Sequence, residues 1–255
     1  MFVNRSMKLI LSITSIPPRF DKLPHLIENL KLQMAHEIWV NIPKSYKRFP
    51  EWDGHFPWTD FGPKVIINRD CDDWGPGTQA MGPIAHTDAD IIVYVNDDTL
   101  YEPKMCLNLL KWHTRDPTSA WGLSGFNFET YFKGQYPRSH DEPVDVLESY
   151  GAVIAKVDWL RTIFPEFLEL SEVTWNDDLL ISNLFEKHGI KRKTVFLPEC
   201  NLGQLRQLEY GFGPDALHHL AAKESGTPQL SHTENNKKIL RAFEEKNANY
   251  FKYKC

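Results

Sequence analysis

Three Asp-Asp pairs punctuate this chain: Asp72-Asp73, Asp97-Asp98 and Asp177-Asp178. The middle pair is the most informative, because the apolar run Ile91-Ile92-Val93-Tyr94-Val95 ends abruptly on Asn96-Asp97-Asp98-Thr99. Such a run, rich in β-branched side chains, reads as a strand buried on both faces of a parallel sheet, and ligands bind beyond the carboxyl ends of such strands. Two carboxylates delivered there suit a divalent ion carrying a phosphorylated ligand. Mg²⁺ or Mn²⁺ on a diphosphate takes one or two protein carboxylates and fills its shell with phosphate oxygens and water. Asp98 is the first choice of ligand. On these residues alone a polar turn, with an Asp capping the next helix, stands equally. Asp177 and Asp178 open a helical pattern, where the macrodipole stabilises anions, so capping and general-base work both remain open.

The elements that would position these acids alternate along the chain. Lys8 to Ile13 reads as a strand, followed by the turn Thr14-Ser15-Ile16-Pro17-Pro18-Arg19, a candidate ligand loop. Leu23, Leu26, Ile27, Leu30 and Met34 recur at helical spacing, and Ile38 to Ile42 completes a βαβ unit. Val65 to Asn68 is a third strand. A short helix reaches Ala85 after the Gly75-Pro76-Gly77-Thr78 turn, and a further helix spans Lys104 to Thr114. Short strands follow at Trp121 to Ser124, Gly151 to Ala155 and Thr194 to Leu197, with a polar loop from Asn127 to Asp145. Leu180, Ile181, Leu184 and Phe185 line one face of a helix from Asp177 to His188. This alternation predicts an α/β domain with a mostly parallel twisted sheet flanked by helices.

Composition narrows the function. Lys plus Arg total 29 against 34 Asp plus Glu, a net charge of −5, which gives no general attraction to nucleic acid. The cysteines Cys71, Cys106, Cys200 and Cys255 form no CxxC pair, so neither a zinc cluster nor a dense disulfide framework is expected. Met1 to Ser6 is short and polar, and no run of about 18 apolar residues offers a transmembrane segment. A soluble, cytoplasmic protein is the expectation. Aromatics crowd the proline-rich stretches Phe49-Pro50-Glu51-Trp52 and His55-Phe56-Pro57-Trp58, where plugging a loop is favoured over stacking on sugar rings.

Four segments in order, Leu11 to Phe20, Asp73 to Thr78, Val95 to Pro103 and Gly151 to Ile154, together resemble the motifs of GT-A-type nucleotide-sugar glycosyltransferases. The nearest group is related to glycosyltransferase family 2 and builds bacterial capsules, lipopolysaccharide or large-virus glycans. The resemblance covers roughly residues 8 to 200. It implies a GT-A (Rossmann-like) catalytic domain over 1–200, with a nucleotide-sugar half to about 103 and an acceptor half from 104. Residues 201–255 would form a mobile C-terminal extension and possible lid.

The same resemblance assigns roles. Thr14, Ser15, Asp72 and Asp73 would contact the nucleoside, and the turn holding Gly77 and Thr78 would let backbone approach it. Asp98, helped by Asp97, would bind Mn²⁺ or Mg²⁺, Asn96 standing where the family's DXD motif has its first acid. Gln79 stands where relatives carry Lys, and Arg19 would replace that phosphate charge. A C-terminal histidine, His219 first and His218 or His232 otherwise, would add a metal or diphosphate contact. Asp178, with Asp177 in reserve, would be the base of an inverting displacement. Tyr150 and Gly151 would border the acceptor subsite, and Glu148 would hold a sugar hydroxyl. The implied partners are a nucleoside diphosphate sugar, UDP-linked by preference, and a glycan acceptor. Two other readings fit the residues: a sugar-phosphate nucleotidyltransferase, although no Gly-rich basic triphosphate loop follows the first strand, and a non-catalytic glycan-binding module.

Overall fold

The computed structural model describes residues 7–133, 142–195, 206–212 and 232–253. The first half runs β1 (Leu9–Thr14), α1 (Leu23–Lys31), β2 (Glu37–Asn41), β3 (Val65–Asn68), α2 (Thr78–Met81), β4 (Ile91–Val95), β5 (Thr99–Leu100) and α3 (Met105–Arg115). It continues through β6 (Ser119–Gly122), β7 (Gly125–Phe126), α4 (Phe128–Tyr131), β8 (Val146–Leu147), β9 (Val153–Lys156) and α5 (Val157–Leu170). Last come α6 (Asp177–Lys187), β10 (Lys191–Thr194), β11 (Arg206–Gln207) and α7 (His232–Glu245).

The main sheet has seven strands in the order β10-β6-β9-β4-β1-β2-β3. All pairings are parallel except those of β9, which runs against both β4 and β6. The carboxyl ends of β1, β4 and β6 and the start of β9 therefore share one edge with the carboxyl ends of β2, β3 and β10. Strand alternation divides the core in two. Ile10, Ile92, Tyr94 and Val153 pack beneath α2, α5 and α6, while Leu11, Ile13, Val93, Val95 and Ile154 face α1 and α3.

A buried polar network ties the sheet to α2. Asn41 Nδ2 donates to Ser12 Oγ at 2.8 Å, Asn68 Nδ2 donates to Asn41 Oδ1 at 2.9 Å, and Ser12 Oγ donates to the Gln79 carbonyl. With partners on every side, these polar groups hold the register of β1, β2 and β3 instead of opposing burial.

Several expected elements move. The helix α5, not anticipated from sequence, carries Pro165 in its interior and buries Leu160, Ile163 and Phe167. The expected polar loop from Asn127 begins instead with α4, whose Phe128 is fully buried against Phe251. The strands expected at Trp121 to Ser124, Gly151 to Ala155 and Thr194 to Leu197 lie at Ser119–Gly122, Val153–Lys156 and Lys191–Thr194. Residues 232–253 are no loose appendage. Leu240, Phe243 and Phe251 are buried in the main core, and Asn183 of α6 both donates to the Ala248 carbonyl and accepts from Tyr250 N. Apolar spacing along α7 turns Ile239, Leu240 and Phe243 into the core, and Asn176 Nδ2, at the start of α6, donates to Asn236 Oδ1 at 3.3 Å. Among the described residues, no helix is long and apolar enough to cross a membrane.

Candidate active site

Beyond β1, a 3-10 turn over Pro17–Lys22 buries Arg19 and Phe20 on opposite errands. Phe20 meets Phe56 and Trp52 edge-on at 4.9 and 5.6 Å, while Tyr46 meets Trp52 at 5.2 Å. The aromatic loop is thus a plug, as its sequence favoured. Tyr46 OH donates to the Ser15 carbonyl at 2.7 Å and Trp58 Nε1 to the Phe20 carbonyl at 2.8 Å. This clamp directs Arg19 toward the end of β4. Arg19 Nη1 lies 2.7 Å from Asp97 Oδ1 and 3.6 Å from Asp98 Oδ2, and Ser15 Oγ donates to Asp97 Oδ2 at 2.6 Å.

The second acid group belongs to α6. Asn176 caps that helix, accepting from Leu179 N at 3.0 Å, so neither Asp177 nor Asp178 is needed as the cap. Asp177 is buried and accepts from Gln79 Nε2 at 3.0 Å. Asp178 keeps part of its surface open to solvent and accepts from Ser149 N at 2.8 Å. Glu148 lies beside it, accepting from Ser124 Oγ at 2.6 Å, and Ser124 Oγ in turn accepts from Tyr150 OH at 2.9 Å. Desolvation and the neighbouring Asp177 and Glu148 carboxylates push the Asp178 carboxyl well above its ordinary range. Desolvation likewise raises Asp177 and Glu148. At the first group, desolvation and Asp97 raise Asp98 against the lowering effect of Arg19.

Asn96 joins the two groups. Its side-chain carbonyl accepts from Ser149 Oγ at 3.1 Å, its backbone N–H donates to Tyr101 OH at 3.1 Å, and Tyr101 OH donates to the Tyr150 carbonyl at 3.2 Å. The neutral amide has a physical reason here. A carboxylate at 96 would place another anion against the serine that holds Asp178, an acid already raised by burial and by the neighbouring Asp177 and Glu148. The turn behind this junction is tight: Ala152 has φ 67°, and a Cβ on Gly151 would stand 2.8 Å from Ser124.

The remaining expected residues divide by exposure. Thr14 is half-buried and donates to the Asn41 carbonyl at 2.8 Å, while Asp72 is exposed. Asp73 accepts from the backbone of Lys47 at 2.7 Å and of Gly75 at 3.0 Å, shaping the turn. Gly77, Thr78 and Gln79 are buried. A Cβ on Gly77 would meet Phe167 at 2.7 Å, so packing against α5 demands glycine there. Gln79 reaches Asp177 rather than the Asp97-Asp98 pair. His218 and His219 lie outside the described residues, as does the side chain of His232.

Sequence reasoning missed the segment 206–212. Arg206 and Gln207 pair antiparallel with Leu100 and Thr99, Leu208 N donates to the Asp98 carbonyl at 2.7 Å, and Tyr210 OH donates to the Asp97 carbonyl at 2.6 Å. A Cβ on Gly211 would stand 2.7 Å from Asp98 Oδ2. Nothing in the local sequence of this segment points to residues more than 100 positions upstream.

Among the described residues, no three His, Cys, Asp or Glu side chains form an ion cage. A diphosphate-borne ion needs only one or two carboxylates, and Asp98 fits that part. Its Oδ1 accepts from Thr99 Oγ1 at 3.2 Å, whereas Oδ2 has a charge contact with Arg19 beyond hydrogen-bond length. Asp97 is engaged through both oxygens.

No family model matches the chain, and no curated protein matches it. Solved structures do. Residues 1–349 of S. aureus TarS align at 11% identity over 97% of this chain and 76% of that one, with a TM-score of 0.51. A mannosyltransferase from Pyrobaculum calidifontis, in complex with GDP-Man and Mn²⁺, aligns at 13% identity over 94% of this chain and 70% of that one, with a TM-score of 0.48. The fold is of the GT-A, Rossmann-like type. At these identities the likeness concerns architecture alone, and the chemistry rests on the side chains at the sheet edge.

Proposed function

We propose that this chain is a glycosyltransferase that moves a sugar from a nucleoside diphosphate donor, UDP-linked by preference, to a hydroxyl of a glycan acceptor. One observation carries the reading: two distinct carboxylate groups share one edge of a GT-A sheet. The first, Asp97-Asp98, lies against a cation, and the second, around Asp178, has a carboxyl raised by burial and by other acids. Displacement at an anomeric carbon needs this separation, because charge departs on one side while a proton is removed on the other.

A divalent ion held on Asp98 would neutralise charge on the departing diphosphate. Ser15 and Arg19 orient Asp97, and Arg19 offers the phosphate-binding cation that Gln79 lacks. Asp178, with partial solvent access and one oxygen held by Ser149 N, takes the acceptor proton as the base of an inverting reaction. A raised carboxyl suits that task near neutral pH. Tyr150 and Glu148 line the acceptor side.

Incubation with UDP-, GDP- and dTDP-sugars plus Mn²⁺ is expected to release nucleoside diphosphate from one of them, and EDTA to stop it. Pyrophosphate formed from a nucleoside triphosphate and a sugar phosphate would move the chain to the nucleotidyltransferases. Glycan binding with no nucleotide binding would leave a lectin-like module.

A further inference from the structure

We propose that Arg19 is an internal cation that occupies the Asp97-Asp98 pair, latches segment 206–212 over it, and surrenders the pair to an incoming divalent ion. The proposal deepens the reading above by naming how its ion site is regulated. Three observations converge on one side chain. Arg19 Nη1 lies between the two carboxylates, 2.7 Å from Asp97 Oδ1 and 3.6 Å from Asp98 Oδ2, where a cation shared by the pair would sit. Its Nη2 donates to the Tyr210 carbonyl at 3.4 Å and its guanidinium lies 5.5 Å from the centre of the Tyr210 ring. The segment so held is also bonded to the backbone of both acids, through Tyr210 OH and Leu208 N.

Gly211 explains why the segment can lie so close. A side chain there would collide with Asp98 Oδ2, so the bare glycine brings backbone against the carboxylate oxygen that lies 3.6 Å from Arg19 Nη1. The strap and the arginine thus both stand against Asp98. A divalent ion reaching that oxygen meets a positive charge within a few ångströms, and the two cannot share the acids without repulsion. Release of Arg19 removes the contact to Tyr210, so ion binding and strap loosening are one linked equilibrium, and each must act on the other by the same factor.

The test needs no sugar donor. Mn²⁺ affinity is measured by electron paramagnetic resonance, and amide hydrogen exchange over 206–212 by mass spectrometry, on the wild-type chain and on Arg19→Gln. The variant is expected to bind Mn²⁺ roughly tenfold more tightly, since a like charge has gone, and to exchange faster over 206–212 without ion. Mn²⁺ is expected to quicken exchange over 206–212 in the wild type and to leave the variant, already fast, unchanged. If Mn²⁺ affinity is indifferent to residue 19, or if Mn²⁺ leaves wild-type exchange unaltered, the proposal fails. The wild-type arm alone decides the matter should Arg19→Gln not fold. An inactive chain that still shows the coupling would remove the glycosyltransferase reading only; an active chain without it would remove the latch only.

Discussion

Asp178 is held at a cost that its own substitution should reveal. Its folded pKa is raised, so the ionised form opposes folding: the stability it contributes is full below the ordinary carboxylate range and is lost as pH rises through the raised value. Asp178→Asn keeps an oxygen for Ser149 N and removes the charge facing Asp177 and Glu148. The variant is therefore expected to be more stable than the wild type at pH 8, with the gap shrinking toward pH 4. Thermal unfolding at the two pH values checks both sign and trend. Equal stability at pH 8 would mean that the carboxyl is not strained by its neighbours. The sequence made Asp97, Asp98, Asp177 and Asp178 legible because each pair adjoins a clear periodic segment, an apolar strand run or a helical pattern. Ser149 and Tyr210 were not, since a serine or tyrosine gains a role only from the side chains folded against it.

At the scale of elements, the site depends on how tightly α2 is seated on the sheet. A Cβ on Gly82 would stand 2.6 Å from the Asn41 side chain and 2.7 Å from the Thr78 carbonyl, and Asn41 cannot retreat while Ser12 and Asn68 hold it. Gly82→Ala is expected to cost about 1–3 kcal/mol, read as a lower midpoint in urea with an unchanged slope; an unchanged midpoint would show that the helix can shift freely. The βαβ start and the acid-tipped strand were readable from periodicity, and their ends moved by only a residue or two. The helix α5 was hidden because Pro165-Glu166 reads as a stop, although Leu160, Ile163, Phe167 and Leu170 carry helical spacing. Tertiary packing of Phe167 over Gly77 overrides the local signal.

For the whole molecule, residues 232–253 are part of the main core. Phe243 and Phe251 are buried in the core shared with α6, and loss of one buried phenylalanine costs about 3–5 kcal/mol. Truncation before residue 232 is expected to abolish cooperative unfolding or lower Tm by more than 10 °C, the shift being about 2–4 °C per kcal/mol for a chain of this size. A truncated chain melting like the full one would restore the idea of a separable appendage. This docking escaped sequence reading because long-range contact leaves no local mark, whereas the sheet edge announced itself through Asp97 and Asp98.

The claim that the two acid groups divide the work is tested most directly by measuring donor binding and sugar transfer side by side in Asp98→Ala and Asp178→Asn. With Mn²⁺ and the active donor, Asp98→Ala should lose donor binding, and Asp178→Asn should bind donor as the wild type does while transfer falls by at least about 100-fold. Equal loss of donor binding in both variants, or undiminished transfer in Asp178→Asn, would contradict the division.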